Sequence, residues 1–130
     1  MIVGIKKIGQ EMDFLKLVNP TADDYKKLIG AEILASIEIT DTISCYYDAV
    51  VDMNAPVNFV LLEEEFGDME FKGFVRSNVV FVNTEETDGL SEEDVMYLFR
   101  NYMKTTVKDE LNKTYYDSLE IFADIEDSIF

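Results

Sequence analysis

Two consecutive stretches of the chain alternate apolar and polar side chains, and this pattern most constrains the fold. They are residues 32–39 and 43–53, rich in Ile and other strand-forming residues. Alternation with a period of two is typical of β-strands that bury one face. The three-residue loop 40–42 places both apolar sets on one face only if the strands pair antiparallel, with Ile37 opposite Cys45. The chain therefore contains at least one β-hairpin.

The same reasoning extends the sheet beyond residue 53. The next connection, 54–56, is again three residues long and predicts that Val51 lies opposite Phe59. After it, residues 66–69 have the composition of a tight turn with a two-residue loop. This loop would place Glu65 opposite Glu70, a pair of like charges that costs stability, and Glu63 opposite Lys72.

The last part of the predicted sheet has two interpretations. Residues 69–82 fit one long strand, which the alternation favours, or two strands separated at Ser77 and Asn78.

Helical signals lie on either side of the sheet. Short strands at 2–8 and 12–18 precede a helix that Thr21 caps and Gly30 ends. A second helix begins at Ser91, with acidic residues in its first turn, and its apolar spacing continues for about 24 residues. Along it Arg100, Lys104 and Lys108 would form one basic stripe. For residues 117–130 we favour another helix, although their alternation also allows a strand.

These elements predict an α+β fold. An antiparallel β-meander of about four to six strands packs against one long C-terminal amphipathic helix, with a short N-terminal helix. With 130 residues, of which 48% are hydrophobic, the chain suits a single acidic globular domain spanning residues 1–130.

The amino-acid composition excludes most kinds of catalytic site and metal site. The chain has no histidine, and its one cysteine, Cys45, has apolar neighbours at strand spacing and should be a buried, inert thiol. The segment around Gly89 resembles a calcium-binding loop, but its first and twelfth positions are Thr84 and Val95, where acids are required. We expect no enzyme, no catalytic residues, no cofactor and no metal. Without a signal-peptide pattern or an apolar run long enough to span a membrane, we expect a cytoplasmic protein.

Negative charge is concentrated in the middle of the chain. Of the net charge of −16, residues 31–99 carry −14, from 16 acidic and two basic residues. Such a chain repels nucleic acid and anionic membranes and favours a basic protein surface as its partner. Same-face side chains on a strand lie about 6.6–6.8 Å apart, so rows of carboxylates can match about every second phosphate of DNA. The predicted partner-binding residues are Glu63, Glu64, Glu65, Phe66, Asp68, Glu70, Glu85, Glu86, Asp88, Glu92 and Glu93.

In size and charge alone, the chain resembles the small acidic phage and mobile-element proteins that block restriction enzymes, CRISPR effectors or DNA-repair glycosylases. This resemblance implies an inhibitor of the anti-CRISPR or anti-restriction type that imitates nucleic-acid charge on a DNA- or RNA-binding enzyme. An immunity or antitoxin protein that neutralises a basic toxin would have the same surface. A non-catalytic, chaperone-like or structural oligomer, such as a homodimer, would instead treat the acids as a solvated coat. It would associate through Leu34, Val50, Val60 and Leu62.

Overall fold

Two β-sheets and two short helices make up the computed structural model, which describes residues 1–50, 52–85, 89–111 and 113–122. The elements follow one another in the order β1 (Ile2–Lys6), β2 (Asp13–Lys16), α1 (Ala22–Ile29), β3 (Leu34–Glu38), β4 (Ile43–Asp48), β5 (Phe59–Glu65), β6 (Asp68–Val75), β7 (Val79–Asn83), α2 (Glu92–Asn101), β8 (Tyr102–Asp109) and β9 (Thr114–Ile121).

The strands divide between a five-stranded and a four-stranded sheet. The first has the order β2-β1-β7-β4-β3 and is antiparallel throughout. The second has the order β6-β5-β9-β8, in which β5 and β9 run parallel. Neighbours in space are therefore often distant in the chain.

The core lies mainly between the two sheets, and strand β7 shows how it is built. Val79 and Phe81 point into a cluster shared by both sheets and α2, whereas Val80 and Val82 point to the opposite face, which α1 covers. All four side chains are buried. A strand buried on both faces has a continuous apolar sequence, as β7 does.

Three local predictions are confirmed. Short strands form in both places where they were predicted, as β1 and β2, although each is shorter than predicted. Helix α1 begins at a capping box formed by Thr21 and Asp24 and ends at Gly30, which adopts φ +69°. Strands β3 and β4 pair with Ile37 opposite Cys45, as the three-residue loop required.

The predicted meander from β4 into β5 is wrong. Strand β4 ends at Asp48, and Phe59 lies in the other sheet, opposite Val75. Val51, its predicted partner, lies outside the described residues. An odd number of loop residues shows only that two strands could pair with their apolar side chains on one face, and it does not show that they do. Here Phe59 is fully buried in the core, where its ring lies 6.4 Å from that of Phe81 across the two sheets.

The interpretation of residues 69–82 as one long strand is also wrong. Strands β6 and β7 belong to different sheets and are separated at residues 76–78. Polar groups of the break bind elsewhere in the fold: Asn78 Oδ1 accepts from the Ile8 N–H, and the Ser77 carbonyl accepts from Asn58 Nδ2. These long-range hydrogen bonds stabilise the corner between the sheets.

The long C-terminal helix does not form. Helix α2 begins after Ser91 as predicted but ends at Asn101, and the chain continues directly into β8. The β-branched run 105–107 favours a strand, and β8 forms one edge of the four-stranded sheet by pairing with β9. Lys104 and Lys108 lie on β8, so the predicted helical stripe with Arg100 is wrong.

The favoured tail helix is wrong over residues 117–121. These residues form part of β9, which pairs with both β5 and β8. The alternative that the alternation left open, a strand, is therefore the correct one there. Residues 123–130 lie outside the described part of the chain.

Candidate functional site

The turn between β5 and β6 sets the geometry of the most acidic hairpin. Phe66 and Gly67 occupy the two central positions with φ of +54° and +86°. Positive φ at both positions is the requirement of the hairpin turn that normally favours Asn-Gly. The loop is therefore Phe66-Gly67, one residue earlier than predicted, with Gly67 at its second central position instead of its first.

This turn changes the register of the acidic residues. Glu65 lies opposite Asp68 and Glu63 opposite Glu70, so the predicted pairs Glu65–Glu70 and Glu63–Lys72 are wrong. A β-bulge at Lys72, between the Leu61–Gly73 and Leu62–Phe71 pairs, then shifts the register of the buried part of the hairpin by one residue. The Lys72 ammonium still reaches Glu63, at 3.3 Å.

Four carboxylates consequently share one face of the hairpin. Successive side chains alternate between faces, and directly opposite residues share a face, with Cβ atoms about 4.5–5.5 Å apart. The members of this carboxylate face are Glu63, Glu65, Asp68 and Glu70. Each residue lies opposite another acid, an arrangement that costs stability.

The opposite face of the hairpin is largely apolar. It carries Leu62, Met69 and Phe71 together with Glu64. Phe71 is 54% exposed, and its ring lies 5.2 Å from that of Phe74. The hairpin therefore presents carboxylates on one side and aromatic rings on the other.

Phe66 projects from the end of the hairpin with its side chain fully exposed. A large aromatic residue at positive φ is uncommon, because its Cβ is crowded against the backbone. The turn thus combines backbone strain with an apolar side chain that is not packed against any of the residues described.

The second predicted acidic group lies elsewhere in the molecule. Glu92 and Glu93 are exposed in the first turn of α2, where the helix dipole favours carboxylates. Their neighbour Asp94 is buried and accepts a hydrogen bond from the Thr42 hydroxyl at 2.5 Å. This bond attaches the start of α2 to the β3–β4 loop of the five-stranded sheet, whereas the hairpin belongs to the four-stranded sheet.

Glu85 is exposed in the turn after β7. Glu86 and Asp88 lie outside the described residues. The predicted footprint is therefore separated into a hairpin and a second group near α2, and among the described residues no hydrogen bond or ion pair connects the two.

The apolar residues assigned to an oligomer interface do not share one face. Leu34 is half-buried against the α1 side of the five-stranded sheet, whereas Val60 and Leu62 lie in the four-stranded sheet. Val60 is fully buried, and Val50 is 49% exposed. The set of Leu34, Val50, Val60 and Leu62 therefore offers no continuous surface for association.

The structure contains a polar cavity between the sheets that the sequence did not predict. Lys6, at the end of β1, is only 2% exposed, and its ammonium donates to Asn58 Oδ1 at 2.9 Å and to the Lys7 carbonyl at 2.8 Å. Its Nζ lies 5.7 Å from the centre of the Tyr102 ring. Nothing in the local pattern IVGIK distinguishes this lysine from an exposed one, because its partners come from distant strands.

Asp117 completes the polar network around this cavity. Its carboxylate accepts from the Tyr102 hydroxyl at 2.6 Å and from the Thr105 N–H at 2.9 Å. Burial lowers the pKa of Lys6, while the nearby Asp117 carboxylate acts in the opposite direction. Burial and the same carboxylate raise the pKa of Tyr102.

Cys45 is buried, as predicted, and burial raises the pKa of its thiol. A thiol that is protonated and inaccessible is a poor nucleophile and metal ligand. In the described part of the chain, no group of three or more acidic or cysteine side chains could hold a metal ion. None of the helices described there is long and apolar enough to cross a membrane.

Neither a scan against protein-family models nor searches of curated proteins and solved structures found a match to this chain.

Proposed function

We propose that this protein is an inhibitor that binds a basic protein surface through the β5–β6 hairpin. The partner is a nucleic-acid-binding enzyme whose basic groove the hairpin occupies in place of DNA or RNA. The observation that carries this proposal is the carboxylate face Glu63, Glu65, Asp68 and Glu70 beside the fully exposed Phe66.

Electrostatic geometry supports this role. Carboxylates on one strand recur about every 6.6–6.8 Å and face a second row about 5 Å away. Phosphates on one DNA strand recur about every 3.4 Å, so the two rows offer negative charge at comparable density. Long-range attraction would steer the partner to the hairpin and make binding sensitive to salt.

The stability cost of the hairpin also supports it. Two directly opposed acidic pairs and an aromatic residue at positive φ are each unfavourable for folding. A surface whose acids served only solubility could carry the same charge without placing acidic side chains directly opposite one another. Features that lower stability are common where a protein binds its partner.

Phe66 and Phe71 supply the apolar contacts that charge alone lacks. Both are exposed, one at the tip and one on the apolar face of the hairpin. Interfaces obtain much of their affinity from a few aromatic residues that become desolvated on binding. The proposed partner therefore has an apolar pocket within or beside its basic surface.

The test is affinity capture with two variants of equal charge. Glu65→Lys/Asp68→Lys reverses two acids at the hairpin tip, and Glu32→Lys/Glu38→Lys reverses two exposed acids on and beside β3. Each should be compared with wild type at about 0.15 M and about 0.5 M salt, where screening lengths are roughly 8 Å and less than 5 Å.

We expect wild type and the β3 variant to capture a nucleic-acid-binding enzyme at low salt, and the hairpin variant to lose it. The purified enzyme should then be inhibited in competition with its nucleic acid. Capture of a basic toxin that does not bind nucleic acid would instead favour the immunity function. Equal capture by both variants would contradict a role for the hairpin.

A further inference from the structure

The polar cavity beside Lys6 has the properties of a binding site that is independent of the hairpin. Its volume is about 300 Å³, and its charged or polar lining includes Lys6, Glu11, Asn58, Lys104 and Asp117. Small ligands usually bind where a few polar groups converge beside a mainly apolar lining. We propose that this cavity binds a small zwitterion carrying both a carboxylate and an ammonium group, as an α-amino acid with an apolar side chain does.

Lys6 is the fixed cationic end of the site. Its ammonium has three N–H groups, and two acceptors are found for them among the described residues, Asn58 Oδ1 and the Lys7 carbonyl. Asn58 is itself held in place, because its Nδ2 donates to the carbonyls of Lys6 and Ser77. No acceptor is found for the third N–H among the described residues, and a carboxylate bound in the cavity would supply one. Burial lowers the pKa of Lys6, and the Asp117 carboxylate and the ring face of Tyr102 act against that effect by stabilising the protonated amine.

Asp117 is the fixed anionic end. Its two oxygens each accept one hydrogen bond, from Tyr102 and Thr105, and a carboxylate can accept about four. The bond from Thr105 depends on the irregular stretch between Met103 and Val107, where Thr105 adopts φ +50°. A β-branched residue at positive φ is a genuine outlier, and such strain is concentrated at functional sites.

The balance of charge in the cavity selects a zwitterion. Two ammonium groups, Lys6 and Lys104, and two carboxylates, Glu11 and Asp117, line the same space. A ligand with both charges can satisfy both kinds of group. The net charge of −16 on the chain opposes a simple anion, whereas a ligand without net charge does not experience that repulsion.

A second, apolar cavity next to the first accounts for the side chain of the ligand. It has a volume of about 320 Å³, shares Glu11 and Lys104 with the polar cavity, and is otherwise lined by Met12, Leu98, Phe99 and Tyr102. The Glu11–Lys104 ion pair stands at the junction, and both side chains are largely exposed. Exposed ion pairs contribute little stability, so a ligand can displace this one and extend into the apolar cavity.

The experiment is an NMR titration of the full chain with L-leucine, L-methionine and L-phenylalanine, each to about 10 mM, a range that detects weak binding. We expect the backbone amides of Asn58, Thr105 and Asp117 to shift with at least one of the three. Two matched probes divide the chemistry of leucine: isocaproate lacks the ammonium and isoamylamine lacks the carboxylate. Each should bind at least about tenfold more weakly than leucine, the loss expected when a charged hydrogen-bonded group is left unpaired.

Two variants test whether Lys6 and Asp117 bind the two charged groups of the ligand. Lys6→Met should weaken amino-acid binding at least about tenfold, whereas Lys72→Met, on the hairpin, should leave it unchanged. Because Lys6→Met removes the donor for two acceptors and could impair folding, Asp117→Asn provides a second readout. It should weaken binding of leucine but not of isocaproate.

Three results would overturn the proposal. One is the absence of shifts at the cavity with all three amino acids. Another is isocaproate binding as tightly as leucine. The third is binding that survives both Lys6→Met and Asp117→Asn.

Discussion

At the scale of single residues, Phe66 shows how local backbone geometry and function can oppose each other. Its φ of +54° suits Asn or Gly, yet the position holds a large aromatic residue whose side chain is fully exposed. Nothing that Phe66 contacts within the described fold offsets the conformational cost. A partner that buries the ring would.

Phe66→Asn should therefore stabilise the protein and weaken partner binding. We expect a gain of about 1 kcal/mol in the free energy of unfolding, because Asn tolerates left-handed backbone better than Phe. Denaturant unfolding measures the gain, and capture at low salt measures the loss of binding. Phe66→Ala is the matched control, since it removes the ring but keeps the unfavourable φ. A Phe66→Asn protein no more stable than wild type would contradict this account of the turn.

At the scale of elements, the β5–β6 hairpin also contains a destabilising feature, which is the repulsion between opposed carboxylates. Glu70 lies directly opposite Glu63, and the only ion pair described on the hairpin is Glu63–Lys72. Like charges in opposed positions are destabilising. The register itself follows from the Phe66-Gly67 loop and from the bulge at Lys72.

Glu70→Lys should raise the free energy of unfolding by about 0.5 kcal/mol, because it replaces a repulsive cross-strand pair with an attractive one. The same substitution should reduce capture of the partner. Glu32→Lys changes the net charge equally at an exposed site away from the hairpin and is the control for both measurements. If Glu70→Lys captured the partner as well as wild type does, the carboxylate face would not be the binding surface.

The start of α2 is the element whose local signals and tertiary contacts agree. Asp94 accepts from the Ser91 N–H at 3.0 Å and from the Thr42 hydroxyl at 2.5 Å, and its own N–H donates to Ser91 Oγ at 3.1 Å. The capping box thus also connects the helix to the β3–β4 loop.

Asp94→Ala should lower the free energy of unfolding by about 2–3 kcal/mol, since it removes one half of the capping box and the charge-assisted hydrogen bond from Thr42. Its exposed neighbour provides the control: Glu93→Ala should change stability by no more than about 0.5 kcal/mol. Chemical denaturation measures both. Equal effects of the two substitutions would show that neither the cap nor the Thr42 contact contributes to stability.

At the scale of the whole molecule, buried and half-buried ionisable groups affect how stability responds to alkaline pH. The pKa of Cys45 is raised from 9.0, and those of Tyr97 and Tyr102 are raised from 10.0, in each case chiefly by burial. Above these ordinary values the unfolded chain loses protons that the native protein keeps. The native state then binds more protons, so stability falls as pH rises. Lys6, with its lowered pKa, acts in the opposite sense below 10.5.

We expect the free energy of unfolding to decrease above about pH 9, with each buried acid group contributing a slope of up to about 1.4 kcal/mol per pH unit. Cys45→Ala should make the decrease shallower between pH 9 and 10, and Tyr102→Phe should do so above pH 10. Urea unfolding at a series of pH values gives these slopes. An unchanged slope in both variants would show that neither group keeps its proton in the native state.

The proposed site could be only partly predicted from the sequence. The acidic hairpin is visible in the cluster of residues 63–70 because it is local, and its turn lies within one residue of the prediction. Its four-carboxylate face depends on which two residues form the loop, and Gly67 is compatible with both registers. The Lys6 cavity leaves no local signal, because its lining comes from β1, the β1–β2 loop, residues 57–58, β8 and β9.

The sequence by itself determined the features whose causes are local: the capped start of each helix, the β3–β4 hairpin and its register, the concentration of negative charge, and the buried Cys45. Capping, alternation and loop parity act over a few residues. Only the tertiary structure decided which strands pair across the chain, where α2 ends and where Lys6 lies. The parallel β5–β9 pair joins segments about 58 residues apart. From Tyr102 onward, pairing with the edge of β9 favours a strand over a continuation of the helix. Such choices depend on which distant surfaces bury one another, and local periodicity does not contain that information.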